Sequence, residues 1–169
     1  MRTLKDKINS LSTTIFQMDN ISIRPISCDE DLWYAVAECE LTQEQKDLVN
    51  PAGFSIGRAF LNPEDNIPCI IRKNNTNIGY IVLRKWFDGS ANSWSYYLDR
   101  NWQGYGYGRT AALIAINILK SADPEVMIKL STESTNTKAH RLYSSIGFQQ
   151  TGEMDGDDLV FQYIEVTNK

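Results

Sequence analysis

Hydrophobic and polar positions alternate along several short segments of the chain, which is the period of a half-buried strand. Residues 21–26 alternate between isoleucine and polar positions, and Pro25 places this strand at a sheet edge because proline has no amide hydrogen to donate. Runs rich in β-branched and aromatic residues predict six further strands. They are residues 67–72, 78–85, 93–98, 126–132, 148–154 and 159–166. Turn-forming residues join the first two and the last two of these, which predicts two hairpins.

Other segments have the helical period. An apolar stripe predicts a long helix over residues 110–120, and a second helix over residues 136–146 ends at Gly147, a residue type favoured at that position. Shorter helices are predicted near residues 29, 42 and 51. The first of them is expected to bury one apolar face. That face consists of Leu32, Trp33, Val36 and Ala37.

The order of these elements predicts one mixed α/β or α+β domain over residues 19–169. Residues 1–18 are polar and lack clear periodicity, so they form either a loose extension or a helix of a turn or so. No stretch approaches the roughly 18 apolar residues of a membrane-spanning helix, and the start of the chain lacks the apolar core of a signal peptide.

Composition and charge restrict the classes of molecule that the protein is expected to bind. Seventeen basic against twenty-one acidic residues give a net charge of −4, which argues against nucleic acid and favours a cationic small molecule. Three scattered cysteines, Cys28, Cys39 and Cys69, show no metal-ligand spacing. They are expected to be reduced thiols in a cytoplasmic protein without a metal site.

The most informative stretch is Gln-Gly-Tyr-Gly-Tyr-Gly-Arg at residues 103–109, between a strand and a helix. Gly104, Gly106 and Gly108 allow a tight turn that exposes backbone N–H groups, and the helix start adds partial positive charge. Together with Arg109 they predict a backbone cradle for pyrophosphate, the alternative being a plain structural turn. The spacing fits neither G-x-x-x-x-G-K-[ST] nor G-x-G-x-x-G.

Two segments resemble the GNAT superfamily of N-acetyltransferases. Residues 103–109 resemble its acetyl-CoA signature Q/R-x-x-G-x-G/A. Residues 136–148, Asn-Thr-Lys-Ala-His-Arg-Leu-Tyr-Ser-Ser-Ile-Gly-Phe, are similar to its N-x-x-A-x-x-L-Y-x-x-x-G-F segment, in the right order and at the right separation. The resemblance covers about residues 21–166. It implies a mixed, mostly antiparallel sheet of about six or seven strands, flanked by helices and splayed between the strands ending near Leu98 and Thr132.

The resemblance also implies acetyl-CoA as co-substrate and assigns residues to it. Backbone groups of Tyr96 and Leu98 would hold the pantetheine arm, and Asn136 would contact the cofactor beside the splayed strands. Tyr143 would be the general acid, although it could instead only pack its helix. The loop that would hold the cofactor's pyrophosphate consists of Gln103, Gly104, Tyr105, Gly106, Tyr107, Gly108 and Arg109.

The sequence leaves open the general base that would deprotonate the incoming ammonium. Some members of this superfamily use no single base. His140 lies among basic residues and is expected on an exposed helix face. The carboxylates nearest the inferred cofactor or in the region that shapes the acceptor pocket are Glu133, Asp99, Glu38, Glu40 and Glu44.

The identity of the acceptor amine is predicted from a looser resemblance than the one that implies acetyl-CoA. Residues 41–49, 55–60 and 147–154 resemble bacterial spermine/spermidine (diamine) acetyltransferases, which implies a polyamine. The short link over residues 98–103 is more like that of ribosomal-protein N-terminal acetyltransferases, the main alternative, with aminoglycosides behind them. A non-catalytic acyl-CoA-binding domain and a homodimer also stay open.

Overall fold

Eight strands form one mixed sheet in the computed structural model, which describes residues 2–165. The strand order is β1-β2-β3-β4-β5-β6-β8-β7, and every pair is antiparallel except β5 with β6. The strands are β1 (Gln17–Met18), β2 (Ile21–Pro25), β3 (Asn66–Lys73), β4 (Thr76–Lys85), β5 (Ala91–Leu98), β6 (Met127–Glu133), β7 (Phe148–Asp155) and β8 (Asp158–Tyr163). The predicted mixed, mostly antiparallel sheet is confirmed, with the two-residue β1 as the additional strand. Residue 166, the predicted end of the last strand, lies outside the described residues.

Six α-helices flank this sheet within the described residues. They are α1 (Leu4–Asn9), α2 (Asp29–Trp33), α3 (Gln43–Lys46), α4 (Ala52–Leu61), α5 (Tyr107–Ala122) and α6 (Thr137–Ser145). A π-helical turn, Tyr34–Glu38, continues α2, and 3-10 turns lie at Thr13–Phe16 and Arg100–Trp102. Within residues 2–165 no helix is long and apolar enough to cross a membrane.

The helices divide between the two faces of the sheet. On one side, called here the α5 face, α1, α5 and α6 pack against side chains such as Ile71, Ile81 and Trp94. On the other, called the α4 face, the π turn and α4 cover Ile70, Tyr80, Val82 and Tyr97. Alternate residues of β3, β4 and β5 therefore serve two separate apolar layers, as the period-two pattern requires.

Helix α1 contributes two side chains to the core. Leu4 and Ile8, one turn apart on α1, are fully buried, and Lys7 pairs with Asp123 at 2.7 Å beyond the end of α5. The helix alternative for this segment is confirmed, and the loose alternative is wrong for residues 4–9. The sequence alone did not decide between the two alternatives, because two apolar residues on one short helix are too few to show a helical period. The predicted domain boundary at residue 19 stays a prediction.

The apolar face predicted for α2 is wrong. Leu32, Trp33, Val36 and Ala37 are all exposed, whereas Asp31 and Ala35 are buried. Asp31 accepts a 2.7 Å hydrogen bond from Arg24, which turns this part of the helix inward. The wider π turn, closed by Cys39 N donating to Tyr34 O at 2.8 Å, then changes the angular spacing of the side chains that follow.

Candidate active site

The two parallel strands in the middle of the sheet separate shortly after they meet. β5 pairs with β6 only at Ala91–Met127 and Asn92–Ile128, after which β5 continues to Leu98 and β6 to Glu133 without a further pair. This is the predicted splay between the strands that end near Leu98 and Thr132. Along it, the backbone of β5 faces a gap instead of a neighbouring strand.

Three consecutive residues of β5, beginning at the last β5–β6 pair, have buried polar side-chain atoms without a hydrogen-bond partner in the protein. The side-chain amide of Asn92, the hydroxyl of Ser93 and the indole N–H of Trp94 are all buried and unpaired. A buried polar group without a partner is costly, so it is satisfied in a working site by water or by a ligand.

The glycine loop lies at the open end of the gap. Gly104 and Gly106 adopt φ values of 84° and 83°, a left-handed conformation that glycine adopts without strain. A Cβ atom built on either residue would meet nothing within 4 Å, so open space adjoins the backbone. Gly106 immediately precedes α5, which directs the free N–H groups of the first helical turn towards that space.

Side-chain hydrogen bonds hold the loop in place. The Tyr96 hydroxyl donates to the carbonyl of Gly108 at 3.1 Å. The Gln103 amide nitrogen donates to the carbonyl of Leu98 at 2.9 Å and to the side-chain oxygen of Gln45 on α3 at 2.7 Å. The side chains of Tyr96 and Gln103 thus position the loop, which leaves only their backbone groups free for a cofactor. Sequence reasoning did not identify Gln45.

Aromatic and cationic side chains flank the loop. Tyr105 and Tyr107 stack with ring centroids 5.6 Å apart, and Tyr105 is mostly exposed. The Lys73 ammonium lies 5.6 Å from the Tyr107 ring centroid and 5.5 Å from that of Trp102. Arg109, in the first turn of α5, is exposed. Lys73 therefore adds a cation near the loop that the sequence did not reveal.

Tyr143, on α6, packs against aromatic side chains of β5 and β8. Its ring centroid is 6.5 Å from that of Trp94 on β5 and 6.4 Å from that of Phe161 on β8, the partner strand of β6. Burial raises the pKa of Tyr143 above its ordinary value, so the phenol is protonated at neutral pH. Burial, and secondarily the nearby Tyr143, also raises the pKa of Tyr96, which places the two hydroxyl groups in one apolar environment.

The Tyr143 hydroxyl also differs from those of neighbouring tyrosines. Tyr80, Tyr96 and Tyr97 each use the hydroxyl in a hydrogen bond within the protein. For Tyr143, residues 2–165 provide no such partner. Asn136 begins α6, where its side-chain oxygen accepts from Ala139 N at 3.1 Å, so this side chain acts as a helix cap.

Two of the five carboxylates named as bases are engaged elsewhere. Asp99 is buried, and its two oxygens accept backbone N–H groups from Glu40 and Asn101, each at 2.9 Å. Glu40 forms an exposed ion pair with Arg100 at 2.8 Å. Asp99 thus joins the loop after the π turn to the end of β5, a structural task that occupies both of its oxygens.

The remaining candidates lie at the margins. Glu38 and Glu44 are exposed, and Glu133 is half-buried at the end of β6, where it accepts from Thr135 at 3.3 Å. His140 is half-buried, not exposed as predicted. Its Nε2 lies 2.9 Å from the carbonyl of Glu133, and its ring packs beside Phe161. No cluster of three metal-ligating side chains occurs among the residues that the structure describes.

A cavity of about 60 Å³ lies on the α4 face. Two hydrogen bonds hold α4 over it: Tyr80 and Ser55 hydroxyls lie 2.6 Å apart, and Ala52 N donates to the Tyr97 hydroxyl at 3.1 Å. Ser95, in the part of β5 that borders the gap, also lines the cavity. The gap therefore has the glycine loop towards the α5 face and a cavity on the opposite face.

Comparisons with known proteins identify the family. The sequence matches the model of the acetyltransferase (GNAT) family over residues 30–148, and a search of curated proteins gives no significant match. Among solved structures, AAC(6')-Ib in complex with paromomycin and acetyl-CoA has a TM-score of 0.72 at 20% identity, covering 89% of this chain and 99% of that one. The acetyltransferase yncA from Salmonella typhimurium with acetyl-CoA gives 0.60 at 20%, covering 89% and 96%. Ribosomal-protein-S5-alanine acetyltransferase from Vibrio fischeri gives 0.61 at 17%, covering 91% and 98%.

At these identities the structural likeness shows the fold alone, whereas the family model spans well over half of the chain. The splayed strands, the glycine loop before α5 and the helix that begins at Asn136 all lie within or beside the matched segment. The chain belongs to the GNAT family of acetyltransferases, whose co-substrate is acetyl-CoA.

Proposed function

We propose that this protein transfers the acetyl group of acetyl-CoA to a primary amine by direct attack in a ternary complex. The observation that supports this most strongly is the gap between β5 and β6, which adjoins the glycine loop at one end and the cavity of the α4 face beside Ser95. Such a gap lets a donor and an acceptor approach one another from opposite faces of the sheet.

The residues present fit the donor. Gly104 and Gly106 leave room beside free backbone N–H groups, which together with Arg109 and Lys73 suit a pyrophosphate. The edge of β5 at Tyr96 pairs with no strand and can bond the amide groups of a pantetheine arm in the manner of a neighbouring strand. At Leu98 the carbonyl already accepts from Gln103, so this residue offers its N–H. The unpartnered N–H of Trp94 lies towards the closed end, where the acetyl group would be placed.

The chemistry requires one proton donor in the protein. The neutral amine nitrogen attacks the thioester carbonyl carbon and an oxyanion forms. The carbon–sulfur bond then breaks, the thiolate takes a proton from the protein, and the nitrogen releases its surplus proton to water, from which the protein donor is reprotonated. We assign the thiolate's proton to the hydroxyl of Tyr143, because its ring packs against Trp94 on β5 beside the gap and burial keeps it protonated. A backbone N–H near Leu98 is the proposed donor to the oxyanion, which typically contributes about 3 kcal/mol.

No carboxylate is assigned as the base. Asp99 uses both oxygens for backbone N–H groups, and Glu40 pairs with Arg100 at the surface. Among the original candidates, Glu133 has the most suitable position, half-buried at the end of β6 on the far side of the gap. We propose that the ammonium loses its proton to water before the nitrogen attacks.

The acceptor is a small primary amine. A polyamine, the prediction from the looser sequence resemblance, receives no support from the cavity, whose charged lining residues are the arginines Arg58 and Arg84. A peptide N-terminus remains the alternative, and an acyl-CoA-binding domain without turnover is the alternative from another class.

The test is release of free thiol from acetyl-CoA with spermidine, an aminoglycoside, an amino acid and a short peptide as acceptors. Calorimetry with acetyl-CoA, run on the same preparation, separates binding from turnover. Thiol release that requires one of the amines, with the acetylated amine found by mass spectrometry, supports the proposal. Tight acetyl-CoA binding without acetylation of any amine would favour the non-catalytic alternative.

A further inference from the structure

Two arginines share the cavity on the α4 face. Arg58 comes from α4 and Arg84 from β4, and both line the same space. Burial, and next the positive charge of Arg58, lowers the pKa of Arg84, so the two guanidinium groups are near enough to repel. The Nε of Arg84 is buried and has no hydrogen-bond partner in the protein.

Carboxylates do not neutralise this pair. The ion pairs within residues 2–165 are Lys7–Asp123, Arg24–Asp31, Arg100–Glu40 and Lys129–Glu153, and neither cavity arginine takes part. Asp155 opposes the lowering of the Arg84 pKa, but its Oδ2 accepts from the Ser131 hydroxyl at 2.9 Å. The described lining contains no acidic side chain, in a chain of net charge −4.

The other polar groups of the cavity are neutral. Asn50, Asn66, Ser55 and Ser95 line it, and the hydroxyl pair of Tyr80 and Ser55 is already satisfied. Unpaired cations among neutral hydrogen-bonding groups match an anion, and the planar fork of arginine suits a carboxylate in particular. A polycation would meet like charge here, which is unfavourable.

The position of the arginines relates them to the reaction. Arg84 lies opposite Ser93 and Val82 lies opposite Ser95 in the β4–β5 register. Arg84 is therefore about 7 Å along the strands from Ser95, at roughly 3.3 Å per residue. The anion-binding groups and the part of β5 that borders the gap are separated by the length of a small molecule.

We infer that the acceptor is an amine that also carries a carboxylate, which Arg58 and Arg84 bind while the amine is directed along Ser95 towards the gap. This inference rests on the proposed acetyl transfer to an amine and specifies its substrate class. The carboxylate belongs either to a free amino acid or to an acidic peptide.

Matched acceptors test the charge requirement directly. 4-Aminobutyrate and 1,4-diaminobutane have the same carbon chain and differ in having an anionic or a cationic far end. The inference predicts that kcat/KM for thiol release is at least 10-fold higher with the amino acid. Longer and shorter pairs are compared in the same way, and an acidic peptide is compared with its amide. Preference for the acidic peptide over the free amino acid assigns the carboxylate to a peptide and supports the arginine subsite, whereas preference for the diamine at every length overturns it.

Variants locate the effect. Arg84→Gln and Arg58→Gln should each lower kcat/KM for the anionic acceptor about 10- to 100-fold without lowering that for the diamine, since a hydrogen bond to a charged group is lost. Arg84→Glu should reverse the preference. Arg72→Gln on β3, outside the cavity lining, is the matched control. Equal losses for both acceptors would contradict the assignment.

Binding decides the matter independently of turnover. The melting temperature and the acetyl-CoA affinity of each variant show whether it folds and retains the donor site. If the wild-type protein acetylates no amine, the proposed function fails while the subsite is still measurable by calorimetry with 4-aminobutyrate on the CoA-bound protein. Binding that disappears in Arg84→Gln and persists in Arg72→Gln supports the subsite, and absence of binding of both 4-aminobutyrate and the acidic peptide to the wild type overturns it.

Discussion

Replacement of Tyr143 by Phe removes one oxygen atom and leaves the aromatic packing in place. The ring centroid of Tyr143 lies 6.5 Å from that of Trp94, 5.7 Å from that of Phe148 and 6.4 Å from that of Phe161, and a phenylalanine ring can keep all three contacts. No protein hydrogen bond within residues 2–165 is lost. We therefore expect the free energy of unfolding to change by less than about 1 kcal/mol.

The effect on the chemical step is expected to be much larger. Loss of a general acid typically costs about 10²- to 10⁴-fold in rate, which corresponds to roughly 3–5 kcal/mol in the barrier. Acetyl-CoA affinity should stay within about twofold, because the loop at Gly104 and Gly106 is untouched. The predicted signature is thus a large fall in kcat with stability and donor binding retained.

The ionisation of this phenol gives a second observable. Burial raises the folded-state pKa of Tyr143 above the unfolded value of about 10. The wild-type rate should consequently show no decrease from Tyr143 ionisation below about pH 10. The same shift makes the free energy of unfolding depend on pH. Its contribution to stability is fully present below about pH 10. It is lost as the pH rises from there towards the folded-state pKa, because the Tyr143 phenol of the unfolded chain ionises first.

The assay is thiol release at saturating acetyl-CoA, together with urea unfolding and calorimetry. Tyr163→Phe, at the end of β8 and outside the gap, is the matched control and should retain full activity. An equal fall in rate and donor affinity for Tyr143→Phe would make this residue a packing element and refute the reasoning. An unchanged rate would also refute it.

Four further substitutions test stability and the glycine loop. Gly106→Ala forces an L residue to φ 83° and fills space beside the loop, so acetyl-CoA affinity in calorimetry should fall at least 10-fold with a stability loss of about 1–2 kcal/mol. Gly57→Ala is the control, because this glycine lies on helix α4 with open space around its Cβ position; the change should leave stability unaltered or raise it by about 0.5–1 kcal/mol. If Gly57→Ala lowered acetyl-CoA affinity as much as Gly106→Ala, the assignment of the pyrophosphate to the glycine loop would be contradicted. Gly79→Ala places a Cβ 2.6 Å from the carbonyl oxygen of Tyr97 and should lower the free energy of urea unfolding by about 1–3 kcal/mol. Leu4→Ala should lower it by about 2–4 kcal/mol, and a loss below about 0.5 kcal/mol would place α1 outside the cooperative core.

The parts of the fold that the sequence predicted well are those with strong local signals. Residues 93–98 and 110–120 have β-rich and helical patterns that survive in β5 and α5, and Gly106 lies at the tight turn between them. Asn136 begins α6 as expected, because a side-chain oxygen at that position meets the first free N–H groups. These features depend on a few consecutive residues, which a linear pattern records.

Features that depend on distant partners were missed. Gln45 and Gln103 pair across 58 positions of chain, and no local pattern indicates such a contact. Arg58 and Arg84 belong to separate elements that the sheet topology brings to one cavity. The orientation of α2 also depends on a contact with another element: Asp31 is turned inward by its ion pair with Arg24 on β2. The net charge of the whole chain does not determine the charge of one cavity, so the two arginines of the α4 face had no signal in the composition.

Because of the gap between β5 and β6, part of the hydrogen bonding across the middle of this sheet is left for a ligand to supply. Two sub-sheets, one ending at β5 and one beginning at β6, are joined through only two residue pairs, Ala91–Met127 and Asn92–Ile128. A molecule that bonds along β5 completes the ladder as an additional strand would. We therefore expect acetyl-CoA to raise the free energy of unfolding by an amount that grows with the logarithm of its concentration.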